Sequence, residues 1–155
     1  MERKQASKTD IKTWNEQIMQ NYGIADFFGK KEKIEIEEEK YLVRDGQIVF
    51  FLENRILIPT LRLLLQKNIL KTVTVDMGAV KFVVNGADIM RPGIVSLDEG
   101  IFKDSYVVIV DQNNKKPLAV GKMLFSGEEV LAMKTGKVIK NVHCIGDEVW
   151  KKWLK

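Results

Sequence analysis

Lys81 and Arg91 stand beside two Gly-Ala steps, Gly78-Ala79 and Gly86-Ala87, in a segment that closes on Pro92-Gly93. A Gly-Ala step lets the main chain come close to a ligand or another backbone, because glycine lacks a Cβ and tolerates positive φ. Such a segment suits capture rather than bond making. Lys81 and Asn85 lie four apart and share one helical face. Arg91 precedes a proline that fixes the local backbone, so its side chain is expected to project from a rigid base. A guanidinium there can grip a phosphate through two hydrogen bonds or stack on a base, which an ammonium does less well.

Bond-making chemistry has weaker candidates. The single histidine, His143, adjoins the single cysteine, Cys144. On a strand adjacent side chains point to opposite faces, so the two do not form the hydrogen-bonded pair that nucleophilic catalysis requires. Cys144 reads as core and His143 as a structural hydrogen-bonding group. The span from Gly78 to Gly86 has neither a Walker lysine followed by serine or threonine nor a G-x-G-x-x-G spacing. Carboxylates cluster at Glu35, Glu37, Glu38 and Glu39 and at Asp98-Glu99, and both clusters read as exposed surface. No catalytic residue, metal site or cofactor is expected.

The elements that position these residues follow from spacing. Asp76 is placed to cap a short helix over residues 77–84, and Gly86 suits the left-handed position after it. Residues 88–90 read as a strand, with Phe82, Ile89 and Met90 assigned to the core. Upstream, Asp10 is expected to cap a helix over residues 11–22 with Trp14 and Ile18 on its apolar side. Ile34 and Ile36 alternate as in a half-exposed strand. Residues 41–43 and 48–52 flank Asp45-Gly46, a strong hairpin signal. Pro59 is expected to open a buried leucine-rich helix over residues 60–67. Downstream, residues 107–110, 118–124 and 138–145 read as strands, and Ser126 with Glu129 has capping-box spacing.

The 155 residues are 45% apolar, enough for one good core or two small ones. No run of about 18 apolar residues offers a membrane span, no apolar signal core follows Met1, and one cysteine fits a reducing compartment; a cytoplasmic location is expected. The net charge of +4 is unevenly spread: residues 72–111 carry −3, whereas residues 112–155 carry nine lysines and four acids. That basic last third can present a phosphate-contacting surface, to which Lys122, Lys137 and Lys140 belong.

Val75, Asp76, Gly78, Ala79, Phe82, Gly86, Ala87, Ile89, Met90, Pro92 and Gly93 together resemble the PUA domain, an RNA-binding module. Asp45-Gly46 with Val49-Phe50-Phe51, the run from Pro59 to Leu64, Ala119-Val120-Gly121, Ser126 with Glu128-Glu129, Asn141-Val142-His143 and Trp150 extend the likeness over residues 10–153. In this wider form the chain is similar to the malignant-T-cell-amplified-sequence family of translation proteins and its archaeal counterparts. The resemblance implies an α+β chain: an N-terminal α+β (pre-PUA) unit over residues 1–71, followed by a small mixed β-barrel of PUA type with short helices over residues 72–155. It further implies an RNA groove, for which the contact candidates are Gly78, Ala79, Lys81, Gly86, Ala87, Asp88 and Arg91, with Lys122 and Lys140 extending the face.

The expected function is therefore non-enzymatic recognition of structured RNA, transfer RNA or small-subunit ribosomal RNA, in translation. The small ribosomal subunit and a translation-factor protein are the further partners that this implies. Two other readings stay open. One is a protein-interaction adaptor, favoured by the acidic stretch over residues 72–111; the other is an RNA-targeting subunit acting in trans with an RNA-modifying enzyme.

Overall fold

The computed structural model describes residues 3–152; residues 1, 2 and 153–155, the outermost ends of the two expected units, lie outside the described residues. In chain order the elements are β1 (Arg3–Gln5), α1 (Lys8–Tyr22), β2 (Ile34–Glu37), β3 (Tyr41–Arg44), β4 (Gln47–Glu53), β5 (Ile56–Pro59) and α2 (Leu61–Gln66). They continue as β6 (Lys71–Val75), α3 (Met77–Val83), β7 (Ile89–Met90), β8 (Ile94–Leu97), β9 (Tyr106–Asp111), β10 (Pro117–Met123), α4 (Gly127–Ala132), β11 (Lys137–Cys144) and α5 (Glu148–Lys152). Two sheets result. The first runs β1-β2-β3-β4-β5 and is antiparallel throughout, and the second runs β7-β11-β10-β9-β6-β8 and curls into a half-barrel with one parallel pair, β6 with β9. The fold is mixed α+β, with short helices set around the half-barrel.

Turn chemistry fixes the first sheet. Asp45 and Gly46 both have positive φ, +54° and +76°, the mirror-image turn whose twist matches paired strands. Asn54 and Arg55 make a second such turn into β5, at φ +50° and +66°. Neither residue is glycine, so this hairpin left little trace in the sequence. Pro59 ends β5 instead of opening a helix: it pairs with Phe50 on the sheet's edge, where a missing N–H is tolerated. Thr60 is the true cap of α2, accepting from the Leu63 amide and donating its hydroxyl to the Ile48 carbonyl at 2.9 Å. Likewise α1 starts at Ser7, and Asp10 is its capping-box partner, not the cap itself. The α4 capping box of Ser126 and Glu129 forms as expected.

Both faces of the first sheet are covered, which explains its continuous apolar runs. Leu42, Phe50 and Leu57 pack with Trp14 and Ile18 of α1. The opposite face, with Tyr41, Val43, Phe51 and Ile58, joins Leu61 and Leu64 of α2 and the outward-facing Val108, Val110 and Val120 of the half-barrel in one shared core. The inward-facing Val107 and Ile109 pack inside the half-barrel with Val73, Val75, Ile89 and Met123.

One carboxylate expected at the surface is buried. Glu37 is 2% exposed and accepts from Arg3 Nε at 3.0 Å, with Lys152 Nζ 3.5 Å away. It lies between β1 and the end of α5, so local charge density misreads it. Among the described residues, no helix is long and apolar enough to cross a membrane, and no cluster of His, Cys, Asp and Glu is arranged to hold a metal ion.

Candidate nucleic-acid interface

Asp76 caps α3 as its position suggests, with Oδ1 accepting from the Ala79 amide at 2.9 Å. Val83 faces the half-barrel core, while Lys81 stays exposed. The helix then closes on itself: Gly86 donates to Val83 and Ala87 to Phe82, both at 3.0 Å, with Gly86 at φ +91°. The chain drops into β7, where Ile89 is buried and Met90 is not, and turns at Arg91–Gly93. The Asp76 amide donates to the Gly93 carbonyl at 2.9 Å and joins the two ends of this path. A Cβ added at Gly93 would lie 3.3 Å from that of Ala79, so the approach of turn to helix has little room for a side chain.

The result is a groove of about 560 Å³ lined by Gly78, Ala79, Ala87, Asp88, Pro92 and Gly93, with Phe82, Met90 and Lys137 also at its surface. The structure thus gathers four of the sequence candidates, Gly78, Ala79, Ala87 and Asp88, around one concavity. Lys81 and Gly86 are exposed just outside it, on α3 and at its C-terminal turn. Lys122 and Lys140 stand directly opposite each other on β10 and β11, away from the groove lining; Lys140 is exposed and Lys122 half-buried.

Two expectations are corrected here. The sequence places Phe82 and Met90 in the core, but they are 57% and 50% exposed. The periods explain it: Phe82 falls on the outer side of α3, and Met90 alternates with the buried Ile89. Arg91 does not project freely either. Its Nε donates to the carbonyls of Val130 at 2.7 Å and Met133 at 3.0 Å, and Nη1 to that of Ile94 at 3.3 Å. The guanidinium caps the C-terminal end of α4, where positive charge is favoured, and shares the Val130 carbonyl with the Met133 amide at 3.1 Å. Asp88 is also committed within the protein, to the Asn141 amide at 2.9 Å and to Lys137 Nζ at 3.4 Å.

Asn141, to which the sequence reading gives no working role, holds the groove from β11. Its Nδ2 donates to the carbonyls of Val83 and Ala87, both at 3.0 Å, tying the second Gly-Ala step to β11. Its sequence signal is its place in Asn141-Val142-His143, on a strand that also carries Lys137 and Lys140.

His143 and Cys144 point to different neighbours. The buried His143 accepts at Nε2 from the Leu61 amide and meets the Asp147 carboxylate through Nδ1, while its ring lies edge-on to Phe51. Burial raises the Asp147 pKa, but the hydrogen bond from His143, with the amides of Trp150 and Cys144, outweighs it and holds the carboxyl below its usual range. Cys144 approaches the Val84 carbonyl at 3.8 Å, and burial, then the Asp147 charge, pushes its thiol up, away from the reactive thiolate.

Known proteins share this family and fold. The PUA domain family model matches residues 71–145. Translation machinery-associated protein 20 of Saccharomyces cerevisiae is 36% identical over 82% of this chain and 76% of its own length. Malignant T-cell-amplified sequence 2 of Homo sapiens is 33% identical, covering 90% of this chain and 77% of its own. Among solved structures, a conserved PUA domain protein from Thermoplasma acidophilum superposes with a TM-score of 0.78 at 31% identity, covering 98% of this chain and 99% of its own.

Proposed function

We propose, since this chain belongs to the PUA-domain family that includes translation machinery-associated protein 20 and malignant T-cell-amplified sequence 2, that it is an RNA-binding protein of translation without catalytic function. We assign residues 1–71 to an N-terminal α+β unit and residues 72–155 to the PUA domain. The RNA is structured, a transfer RNA or small-subunit ribosomal RNA, met in the cytoplasm alone or on the small ribosomal subunit with a translation-factor partner. The observation that carries this reading is the convergence of Gly78-Ala79 and Ala87-Asp88 on one groove with the exposed Lys81 beside it. Backbone there can approach a phosphate or base edge closely, and Lys81, Lys122 and Lys140 supply charge for phosphate oxygens. Gly86 supports the groove through the left-handed turn, and Asp88 through its bond to Asn141. Arg91 serves the site from outside it, anchoring the turn that carries the groove-lining Pro92 and Gly93 to the end of α4.

The test is equilibrium binding to total transfer RNA and to small-subunit RNA across a salt series, comparing wild type with Lys81→Ala/Lys140→Ala. Saturable binding whose salt slope falls by about one for each lysine removed supports the reading. Absence of binding to both RNAs sinks it. In that case the adaptor reading gains, and it has its own observation: a hollow of about 940 Å³ between α1 and residues 25–30, with Ile11, Met19 and Phe28 lining it and Lys8, Lys12 and Lys30 beside them.

A further inference from the structure

We propose that Phe102 and Leu131 anchor a protein-docking surface, and that its partner is a basic protein seated beside the RNA on the small ribosomal subunit. The inference rests on the RNA-binding reading above and names the kind of partner met there. Phe102 is 77% exposed and Leu131 61%, the two highest values among the large apolar residues left open on the described chain. They belong to one place. Phe102 follows the buried Ile101 in the loop before β9, and the Gly127 amide at the start of α4 donates to the Ile101 carbonyl at 2.9 Å. A Cβ added at Gly127 would lie 3.4 Å from that of Ile101, so the loop sits hard against the first turn of α4. Leu131 stands one turn farther along the helical row that Gly127 begins. The loop is also fixed: the Ser105 amide and hydroxyl both donate to the Phe102 carbonyl, at 3.3 and 2.6 Å, and the Asp104 amide donates to the Met123 carbonyl at 2.8 Å. An aromatic ring held out on such a backbone loses little freedom on docking.

The surroundings decide what docks. Residues 98–104 carry the exposed Asp98, Glu99 and Asp104 against Lys103, and the first turn of α4 adds the exposed Glu128 and Glu129. Five carboxylates thus stand with one lysine, in a chain whose net charge is +4. Lys71, at the Glu99 carbonyl, and Lys134, after α4, mark the margin. Phosphate is repelled here, which separates this surface from the groove and its lysines. Acids around apolar anchors suit instead a positively charged protein surface with an apolar pocket. A ribonucleoprotein presents both signs at once, RNA phosphates and the basic proteins that neutralise them. A chain with a lysine-flanked groove and an acidic apolar knob matches the two together.

The experiment uses the full chain, purified small ribosomal subunits, and the RNA of those subunits freed of protein, with Phe102→Ala/Leu131→Ala, Phe102→Trp and Glu128→Lys as variants. All three positions are exposed, so the fold is retained, and thermal unfolding checks this. The alanine pair should bind subunits roughly tenfold or more weakly, and the free RNA as wild type does. Glu128→Lys should likewise weaken on subunits and not on free RNA, and Phe102→Trp should keep both affinities. A photoreactive phenylalanine at position 102 should crosslink to a subunit protein. Wild-type affinity of the alanine pair for subunits, an equal loss on subunits and free RNA, or crosslinking to RNA alone overturns the docking surface while leaving RNA binding in place. Failure of the wild type to bind subunits or free RNA overturns both readings.

Discussion

The amide of Leu61 donates to Nε2 of His143 across 3.0 Å, and this single bond joins the first turn of α2 to β11 of the half-barrel. Because Nε2 accepts, the imidazole carries its proton on Nδ1, and that N–H donates a hydrogen bond to the Asp147 carboxylate 2.9 Å away. Both ring nitrogens are thus committed, one to each side of the seam between the sheets.

Replacing His143 with alanine should cost about 2–4 kcal/mol, from the stranded Leu61 amide and the emptied volume together. His143→Gln should recover part of this, because an amide oxygen can take the same hydrogen bond. Urea unfolding of the two variants decides the matter: equal losses would leave the hydrogen bond without a measurable part in stability.

Asp147 gives the seam an acid dependence whose direction is fixed. Its folded pKa lies below the unfolded value, so its contribution is complete above about pH 4 and fades as pH falls through the folded value. The stability gap between wild type and Asp147→Asn should therefore be widest near neutrality and narrow in acid. Thermal unfolding from neutral to strongly acid pH measures it, and a gap that stays constant would rule out ionisation of Asp147 as the cause.

Arg91→Ala should destabilise the protein by about 1–3 kcal/mol, because the carbonyls of Met133 and Ile94 lose the guanidinium and that of Val130 is left with the Met133 amide alone. Arg91→Lys should regain less than half, since one ammonium cannot span the three acceptors as a planar fork does. Denaturant midpoints and RNA salt slopes are read on the same samples. An unchanged midpoint with a slope lowered by about one would instead make Arg91 a phosphate contact.

Asn141→Ala removes the two donors that hold the carbonyls of Val83 and Ala87. We expect faster amide hydrogen exchange across residues 84–88, with little change in the first sheet. RNA affinity should fall with it, because the second Gly-Ala step loses its fixed distance from the first. Unaltered exchange would mean that α3 and β7 hold this loop without help from β11.

Local signals carried much of this fold. Asp76, the Asp45-Gly46 turn and the Ser126–Glu129 box each act within a few residues, and each does what its chemistry suggests. The Gly-Ala steps likewise marked the groove, since close backbone approach leaves its trace as missing side chains. The remaining features depend on partners distant in the chain. Arg91 meets carbonyls 39 and 42 residues away, and Glu37 is covered by Arg3 and Lys152 from opposite ends of the described chain. Nor could an apolar residue on a short helix reveal its burial: Phe82 and Val83 are adjacent, and only the packed half-barrel shows that one is covered and the other open.

Val108, Val110 and Val120 turn outward from the half-barrel into a core they share with Phe51, Leu61 and Leu64. Separating the halves would bare that valine strip to water, so melting one sheet removes the other's support. Calorimetry of the intact chain should show one transition, with the van't Hoff enthalpy matching the calorimetric one. A half-barrel expressed alone would carry an apolar wall in search of cover, prone to self-association before it ever met a ligand.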